Sequence, residues 1–403
     1  MSKRALAILI AGFLTIFSHY AVRYSYGLLL PEMLPSLGVS MMQAGIIYSS
    51  FFIAYTVFSP VLGLLIDRFD ARIILTSFIV IFGIGTFLIS FASTVWNAVI
   101  FFILAGIGGS ACWVPVTALI QRWVSDKRRG TALAIADIGS AAGIAAISLA
   151  IPFLVNAFNW QAGWKSLGIL ALLTAVVNYI LVRNRPESNS DKEWARSQEA
   201  STRPIKILYS KFLKDRNFWL IGLSYLLLGF LVLVPFMYLS TYAMREFSLS
   251  YATATRLITI IAVVGIAGKL VLGPVSDSIG RIKVMILCMA LIAIGSFGMV
   301  YSRSYPFLVG ATVICGLGYG PVWALYAASA YDYFSKDSTG SIVGLWTVML
   351  GIGSILSPII TGHTIDITQS FRWAFIEAAI CAILSLIILV PVFRSTSSDS
   401  DVK

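Results

Sequence analysis

The chain has 403 residues, of which 58% are hydrophobic and only 12% are charged, and its mean hydropathy is +0.88. A water-soluble globular protein carries about 25% charged residues. The composition therefore excludes an ordinary soluble enzyme and a disordered or disulfide-rich chain, and it indicates an integral membrane protein. The net charge of +11 does not indicate nucleic-acid binding, because the Lys and Arg residues lie almost wholly between apolar runs.

Twelve apolar segments follow one another along the chain, each close to the roughly 20 residues that cross the hydrocarbon layer. The first begins near the N-terminus and is too long for a cleaved signal peptide. We predict an all-α membrane protein of twelve transmembrane helices in two pseudo-symmetric six-helix bundles. The predicted spans are 6–30, 43–66, 73–91, 95–121, 130–155, 164–182, 217–243, 253–275, 283–301, 305–331, 341–364 and 373–393.

The one long polar stretch, 183–216, separates the sixth span from the seventh. We predict an N-terminal bundle over 1–182, a central loop over 183–216, a C-terminal bundle over 217–394 and a disordered tail over 395–403. Most Lys and Arg residues lie in loops on one side when the N-terminus is placed inside. By the positive-inside rule we expect both termini and the central loop to be cytoplasmic, in a multi-pass protein of the plasma (inner) membrane.

The two halves of the sequence match each other at an offset of 210 residues. Parallel repeats of this kind imply a pseudo-two-fold axis along the membrane normal and a binding cavity between the halves near the midplane. This arrangement predicts transport by alternating access. The matching residues are Gly63 with Gly273, Asp67 with Asp277, Gly106 with Gly316, Gly108 with Gly318, Trp113 with Trp323 and Gly130 with Gly340.

These features together resemble a major facilitator superfamily transporter over essentially the whole chain. The loop GLLIDRFDAR after span 2 and GPVSDSIGRIK after span 8 resemble the family's gating motif, although Asp70 and Ser278 stand where Gly and Arg are usual. The glycines are expected to allow close helix packing, and the aspartates to cap a helix or pair with a cation. The resemblance implies a conformational role for Gly63, Asp67, Arg68, Gly273, Asp277 and Arg281.

Two cations, Arg23 and Lys269, fall inside predicted spans. Burying a charge at the bilayer centre costs at least about 2.5 kcal/mol. Either cation could extend its long side chain to the headgroups, or could pair with Asp137 or Glu377. The functional alternative is that the two cations, one from each half, face the cavity and bind an anion, since Arg and Lys are suitable partners for a carboxylate.

Closer resemblances favour the anion. HYAVRYSYGLLLP (19–31) resembles span 1 of the organic anion:cation symporters, which implies that Arg23 meets a substrate carboxylate, although Val22 stands where an acid is usual. GKLVLGPVSDSIGR (268–281) resembles span 8 of the monocarboxylate transporters and oxalate:formate antiporters, where a substrate-binding Arg occupies the place of Lys269. The second cation that the oxalate:formate antiporters use in span 11 has no counterpart in 341–364, which contains neither Lys nor Arg, so the resemblance favours a monocarboxylate over a dicarboxylate.

Other polar and aromatic side chains are further candidates. His19, Asp137 and Glu377 are possible proton-coupling sites, although His19 could instead be an ordinary hydrogen-bonded buried histidine. Aromatic walls suit a small-ligand cavity, but an aromatic stripe can equally be packing or an interfacial belt. The predicted substrate-binding residues are Arg23, Lys269, Tyr26, Trp113, Trp323 and Tyr326.

Motifs for catalysis and nucleotide binding are absent from the sequence, which has no GxxxxGK[ST] and no HExxH. We predict no enzyme, no catalytic residue, no cofactor and no metal site. The prediction is a monomeric secondary active transporter that moves a small organic anion, by proton symport or by exchange for a counter-anion, within the lipid bilayer. The alternatives are a drug:proton antiporter, although span 5 lacks GPxxGG, and a non-transporting sensor on a carrier scaffold.

Overall fold

The computed structural model describes residues 3–124, 126–183, 213–334 and 339–400, and these ranges fold into helices joined by short turns. Most of the predicted central loop therefore lies outside the described residues. The helices are α1 (Lys3–Leu37), α2 (Met41–Arg68), α3 (Ala71–Ile89), α4 (Val95–Gly109), α5 (Val114–Trp123), α6 (Asp126–Ala157), α7 (Trp160–Leu181), α8 (Arg216–Phe247), α9 (Tyr251–Ile279), α10 (Arg281–Tyr301), α11 (Tyr305–Tyr319), α12 (Val322–Tyr333), α13 (Thr339–Thr368) and α14 (Arg372–Ser400).

Twelve spans in these ranges are long and apolar enough to cross a membrane, which confirms the predicted all-α membrane fold. The fourth and tenth spans are each interrupted, which the sequence analysis did not predict. In the fourth, a short 3₁₀ turn, Ser110–Cys112, separates α4 from α5. In the tenth, Gly320 and Pro321 separate α11 from α12. Proline has no N–H to donate and favours the start of a helix. In each break the next helix begins beside a proline, Pro115 in the fourth span and Pro321 in the tenth.

Polar residues at the ends of the apolar runs set where the helices begin. Ser40, Asp70, Thr94 and Asn159 each accept a hydrogen bond from the first turn of the following helix. Such caps satisfy N–H groups that would otherwise have no partner. At the other end of the chain, α14 continues through Ser400, where a disordered tail from 395 was expected.

An even number of spans places both chain ends on one side of the bundle. We call this side the terminus side and the opposite side the far side. The first half comprises α1–α7 and the second half α8–α14. The halves meet along α1 with α8 and along α2 with α13. A Cβ built on Gly27 would lie 1.9 Å from the carbonyl oxygen of Phe236, and one on Gly45 would lie 2.0 Å from that of Pro358. The far side is thus closed by backbone against backbone.

Three glycines toward the terminus side have open space around them. A Cβ built on Gly130, Gly273 or Gly344 would meet no atom within 4 Å. The close helix packing that was expected at Gly273 is therefore absent in this conformation. The backbone contacts between the halves at Gly27 and Gly45 describe a bundle that is closed on the far side.

Gly27→Ala is expected to destabilise the closed far side by about 1–3 kcal/mol, because the added methyl group cannot fit against the backbone of α8. The decrease in the melting temperature of the purified protein measures the effect. Gly344→Ala is the matched control: it adds the same methyl group to a helix where nothing lies within 4 Å, and it should leave the melting temperature equal or raise it. Equal behaviour of the two variants would contradict the packing argument.

Candidate binding site between the halves

A small cavity lies between the two halves at the depth of the break in the tenth span. The first half contributes residues of α1 and α6, among them Tyr20 and Asp137. The second half contributes residues of α9, α11 and α12, among them Lys269, Tyr319 and Trp323. The cavity is where the pseudo-symmetric repeat predicts a binding site.

The charged part of the cavity wall is an ion pair that joins the two halves. The Lys269 ammonium on α9 lies 2.5 Å from Oδ2 of Asp137 on α6, and the two side chains are only 28% and 31% exposed. The hydroxyl of Ser140 also donates to Oδ1 of Asp137, at 3.3 Å. In this conformation Lys269 thus pairs with an acid in the cavity and does not extend to the headgroups.

The aromatic part of the wall comes mainly from the second half. Trp323 packs edge-on against Tyr319, with ring centroids 6.3 Å apart. The hydroxyl of Tyr319 lies 3.2 Å from that of Tyr24 in the first half. These rings form an apolar surface beside the ion pair, with hydroxyl groups at its edge.

The break in the tenth span brings a helix start to the cavity. Gly320 lies so close to α9 that a Cβ built on it would be 1.9 Å from the carbonyl oxygen of Gly265. The next helix, α12, then begins without a side-chain cap. The N-terminal end of a helix carries a partial positive charge, so this start adds positive potential beside the cavity.

Arg23 lies behind the aromatic wall and does not line the cavity. Its guanidinium carbon is 4.7 Å from the centre of the Phe52 ring and 5.5 Å from that of Tyr24. Its Nε is buried without a hydrogen-bond partner. Among the residues that the structure describes, no carboxylate pairs with this guanidinium. The rings of Tyr20 and Tyr24, stacked 5.8 Å apart, are its link to the cavity.

Three other predicted substrate-binding residues lie within their own halves. The Tyr26 hydroxyl donates to the carbonyl of Ala44 at 2.7 Å. Tyr326 is hydrogen-bonded to Ser224, and Trp113 packs against the core. None of the three lines the cavity. Their role in binding stays a prediction.

The three proton-coupling candidates lie in three different places. Only Asp137 lines the cavity. His19 is buried among aromatic rings of the first half, with Nδ1 lacking a hydrogen-bond partner. Glu377 on α14 accepts a hydrogen bond of 2.7 Å from Thr361 on α13, within the second half. Of the three candidates, Asp137 is thus the one in contact with Lys269 across the two halves.

The second copy of the gating motif forms a charged cluster on the terminus side. Arg281 pairs with Asp277 and, at 3.4 Å, with Asp332 at the end of α12. It also donates to the hydroxyl of Ser276 at 2.5 Å. The cluster ties the start of α10 to α9 and α12. In the first copy, Gly63, Asp67 and Arg68 lie in the helical part of α2, and the side chains of Asp67 and Arg68 lie outside what the structure describes.

Sequence reasoning missed several residues that line the cavity. Tyr20 lies three residues before Arg23, and Ser140 three residues after Asp137, so helical spacing alone could have added both. Gly320 lies in the sequence GYGP, where a proline directly after glycine and tyrosine indicates a break in the helix. Such an interruption of an apolar span is a recognised indication of a transporter binding site.

Known proteins resemble this chain in sequence and in fold. The sequence model of the Major Facilitator Superfamily matches residues 12–275 and 236–403. The hexuronate transporter of Bacillus subtilis is 24% identical over 98% of this chain and 96% of its own. The membrane sensor protein UhpC of Escherichia coli is 24% identical over 94% and 90%, respectively. Human monocarboxylate transporter 12 is 25% identical over 76% of this chain and 64% of its own.

Two solved structures share the fold. A bacterial homolog of the human lysosomal transporter Spinster, in an inward-facing and occupied conformation, has a TM-score of 0.80 at 14% identity and covers 98% of both chains. The nucleoside transporter NupG has a TM-score of 0.77 at 16% identity, over 98% of this chain and 100% of its own. Twelve spans around a central cavity, with these matches, define a membrane transporter. The chain belongs to the Major Facilitator Superfamily.

Proposed function

We propose that the protein carries a small organic anion with a single carboxylate across the membrane by alternating access. The observation that carries the proposal is the Lys269 ammonium, which lies in the wall of a cavity between the halves with Asp137 as its partner. A carboxylate of the substrate can take the place of the Asp137 carboxylate on this ammonium.

The charges around the cavity favour a substrate with one negative charge. Arg23 and Lys269 each carry one positive charge, and Asp137 carries one negative charge. The region therefore has one positive charge in excess, which a monoanion neutralises. While Asp137 is ionised, a dianion would leave a negative excess in a place of low dielectric constant, which is unfavourable.

The relatives' names are consistent with anionic cargo. They include a hexuronate transporter, a monocarboxylate transporter and a probable hexose phosphate transport protein. The first two names describe carboxylates, and the third describes a phosphate ester. The single positive excess favours the carboxylates over the phosphate ester.

Energy comes from proton symport or from exchange for a second anion in this proposal. When a substrate carboxylate occupies Lys269, Asp137 loses its partner, and a proton that binds Asp137 removes the resulting buried charge. Without a proton, Lys269 can exchange one anion for another. By the positive-inside rule, the excess of basic residues on the terminus side supports a cytoplasmic terminus side and an outward far side in this proposal, with the protein acting as a monomer in the plasma (inner) membrane.

Uptake into proteoliposomes tests the proposal. We expect labelled short-chain monocarboxylates to enter faster with an inward proton gradient than without one. Asp137→Asn should abolish the effect of the gradient, because the variant has no carboxylate to take up a proton, whereas His19→Gln and Glu377→Gln should keep it. If no carboxylate of a broad panel is taken up, the proposed cargo is wrong. If the effect of the gradient persists in Asp137→Asn, the proposed proton site is wrong.

The same assay separates the alternatives. The relative named as a membrane sensor protein favours a non-transporting sensor as the second candidate, and it predicts ligand-dependent stabilisation without uptake. A drug:proton antiporter would move organic cations out in exchange for protons that enter down their gradient. The positive excess at the cavity disfavours that cargo.

A further inference from the structure

The first turn of α2 has four N–H groups that the helix itself cannot satisfy. Two of the N–H groups at this helix start are satisfied within the same turn by a capping box. The Ser40 hydroxyl accepts from the N–H of Gln43 at 3.3 Å, and Oε1 of Gln43 accepts from the N–H of Ser40 at 3.0 Å. The N–H groups of Met41 and Met42 need partners from elsewhere.

Those partners come from the other half of the molecule. Asp366 lies in the last turn of α13, on the far side, and its Oδ1 accepts from the N–H of Met41 at 2.9 Å. Its Oδ2 accepts from the N–H of Met42, also at 2.9 Å. One carboxylate thus makes two charge-assisted hydrogen bonds at the positive end of a helix. We call this arrangement the inter-half cap.

The inter-half cap depends on contact between α2 and α13. A Cβ built on Gly362, one turn before Asp366, would lie 2.4 Å from the carbonyl oxygen of Met41. Gly45, one turn further along α2, is equally close to Pro358. A shift of α13 away from α2 therefore breaks both bonds of the carboxylate together, while the capping box moves with α2 and stays intact.

We propose that Asp366 is a positioning residue of the transport cycle, which favours the conformation closed on the far side by completing the cap of α2 from the opposite half. Opening the far side transfers the carboxylate and two N–H groups to water. The cap of α2 is complete only in the closed conformation, so Asp366 sets part of the free-energy difference between the two conformations. This role needs only the transporter class and is independent of the cargo.

The test is a distance measurement between spin labels at Ser36→Cys and Ser304→Cys, which are exposed on the far side in opposite halves. The native cysteines are replaced by Ala, and the protein is studied in nanodiscs without substrate. Asp366→Ala should raise the ratio of far-side-open to far-side-closed protein by about tenfold or more, as expected for the loss of two hydrogen bonds to a charged group. Asp366→Asn, which loses the charge and one acceptor, should change the ratio in the same direction and serves if the Ala variant does not fold.

Two controls separate this role from general stability. Glu246→Gln removes another far-side carboxylate, whose partner Arg372, at 3.3 Å, lies in the same half. Ser40→Ala weakens the same helix start from within the first half, and so destabilises α2 in both conformations. Both controls should leave the ratio unchanged. An unchanged ratio in the two Asp366 variants, or an equal shift in Ser40→Ala, would overturn the proposal. Absence of carboxylate uptake would leave it standing, since the distances are measured without substrate.

Discussion

Lys269→Ala is expected to reduce carboxylate uptake by at least about 100-fold, or about 2.7 kcal/mol, while the protein still inserts into the membrane. The substitution removes the ammonium from the cavity wall and leaves Asp137 without its partner. An entering carboxylate then meets a like charge where it previously met a cation. Initial rates in proteoliposomes, normalised to the amount of reconstituted protein, measure the effect.

Three further variants distinguish substrate binding from structural pairing. Lys269→Asp combined with Asp137→Lys restores an ion pair with the charges exchanged, so it should recover thermal stability but not uptake. Lys269→Ala combined with Asp137→Asn removes both charges and should remain folded and inactive. Lys165→Ala is the matched control, because this lysine lies over the Phe91 ring at 5.3 Å and outside the cavity. Normal uptake by Lys269→Ala would exclude the proposed binding role.

Arg23→Ala is expected to raise the substrate concentration for half-maximal uptake by about tenfold or more. The guanidinium supplies the positive charge that no described carboxylate neutralises, and its buried Nε has no hydrogen-bond partner. Without it the charges of Lys269 and Asp137 cancel, and an anion gains less by entering. A loss of one charge-assisted interaction of about 1.4 kcal/mol corresponds to the tenfold change. Concentration dependence of uptake and of ligand-induced thermal stabilisation provides two measurements.

Arg72→Ala is the control for Arg23→Ala. Arg72 also lies over an aromatic ring, with 3.9 Å between its guanidinium carbon and the centre of Tyr179, and its Nε is likewise buried without a partner. It lies at the start of α3, outside the cavity, so its loss should leave the half-saturation concentration unchanged. Arg23→Lys keeps the charge and should retain more affinity than Arg23→Ala. If both Arg23 variants bind substrate normally, this arginine has a structural role only.

The number and course of the spans could be predicted because lipid leaves the backbone few choices. In the hydrocarbon layer every N–H and C=O must bond within its own segment, so an apolar run of sufficient length becomes a helix. The ends were less accurate: the first span was expected over 6–30, and α1 extends over Lys3–Leu37. Apolar runs mark the lipid-crossing part, whereas the caps and turns that end a helix lie beyond it.

The candidate site could be predicted only in part. Helical spacing shows which residues share a face, and a charge within a span marks that face as unusual. Spacing and charge together therefore indicated Lys269, Asp137 and Trp323, which line one cavity. The same reasoning also selected Tyr26 and Tyr326, whose hydroxyls bond within their own halves. Spacing along one helix does not say which neighbouring helix a face contacts.

By itself the sequence determined the membrane fold, the twelve spans, the repeat and the presence of cations inside two spans, because these depend on local hydrophobicity and spacing. Only the tertiary structure decided that Lys269 pairs with Asp137, 132 positions away, that Arg23 lies behind a layer of tyrosines, and that Asp366 caps a helix of the other half. The physical reason is that helix rotation and contact in a membrane are set by packing between helices. In a bundle, that packing involves many helices at once.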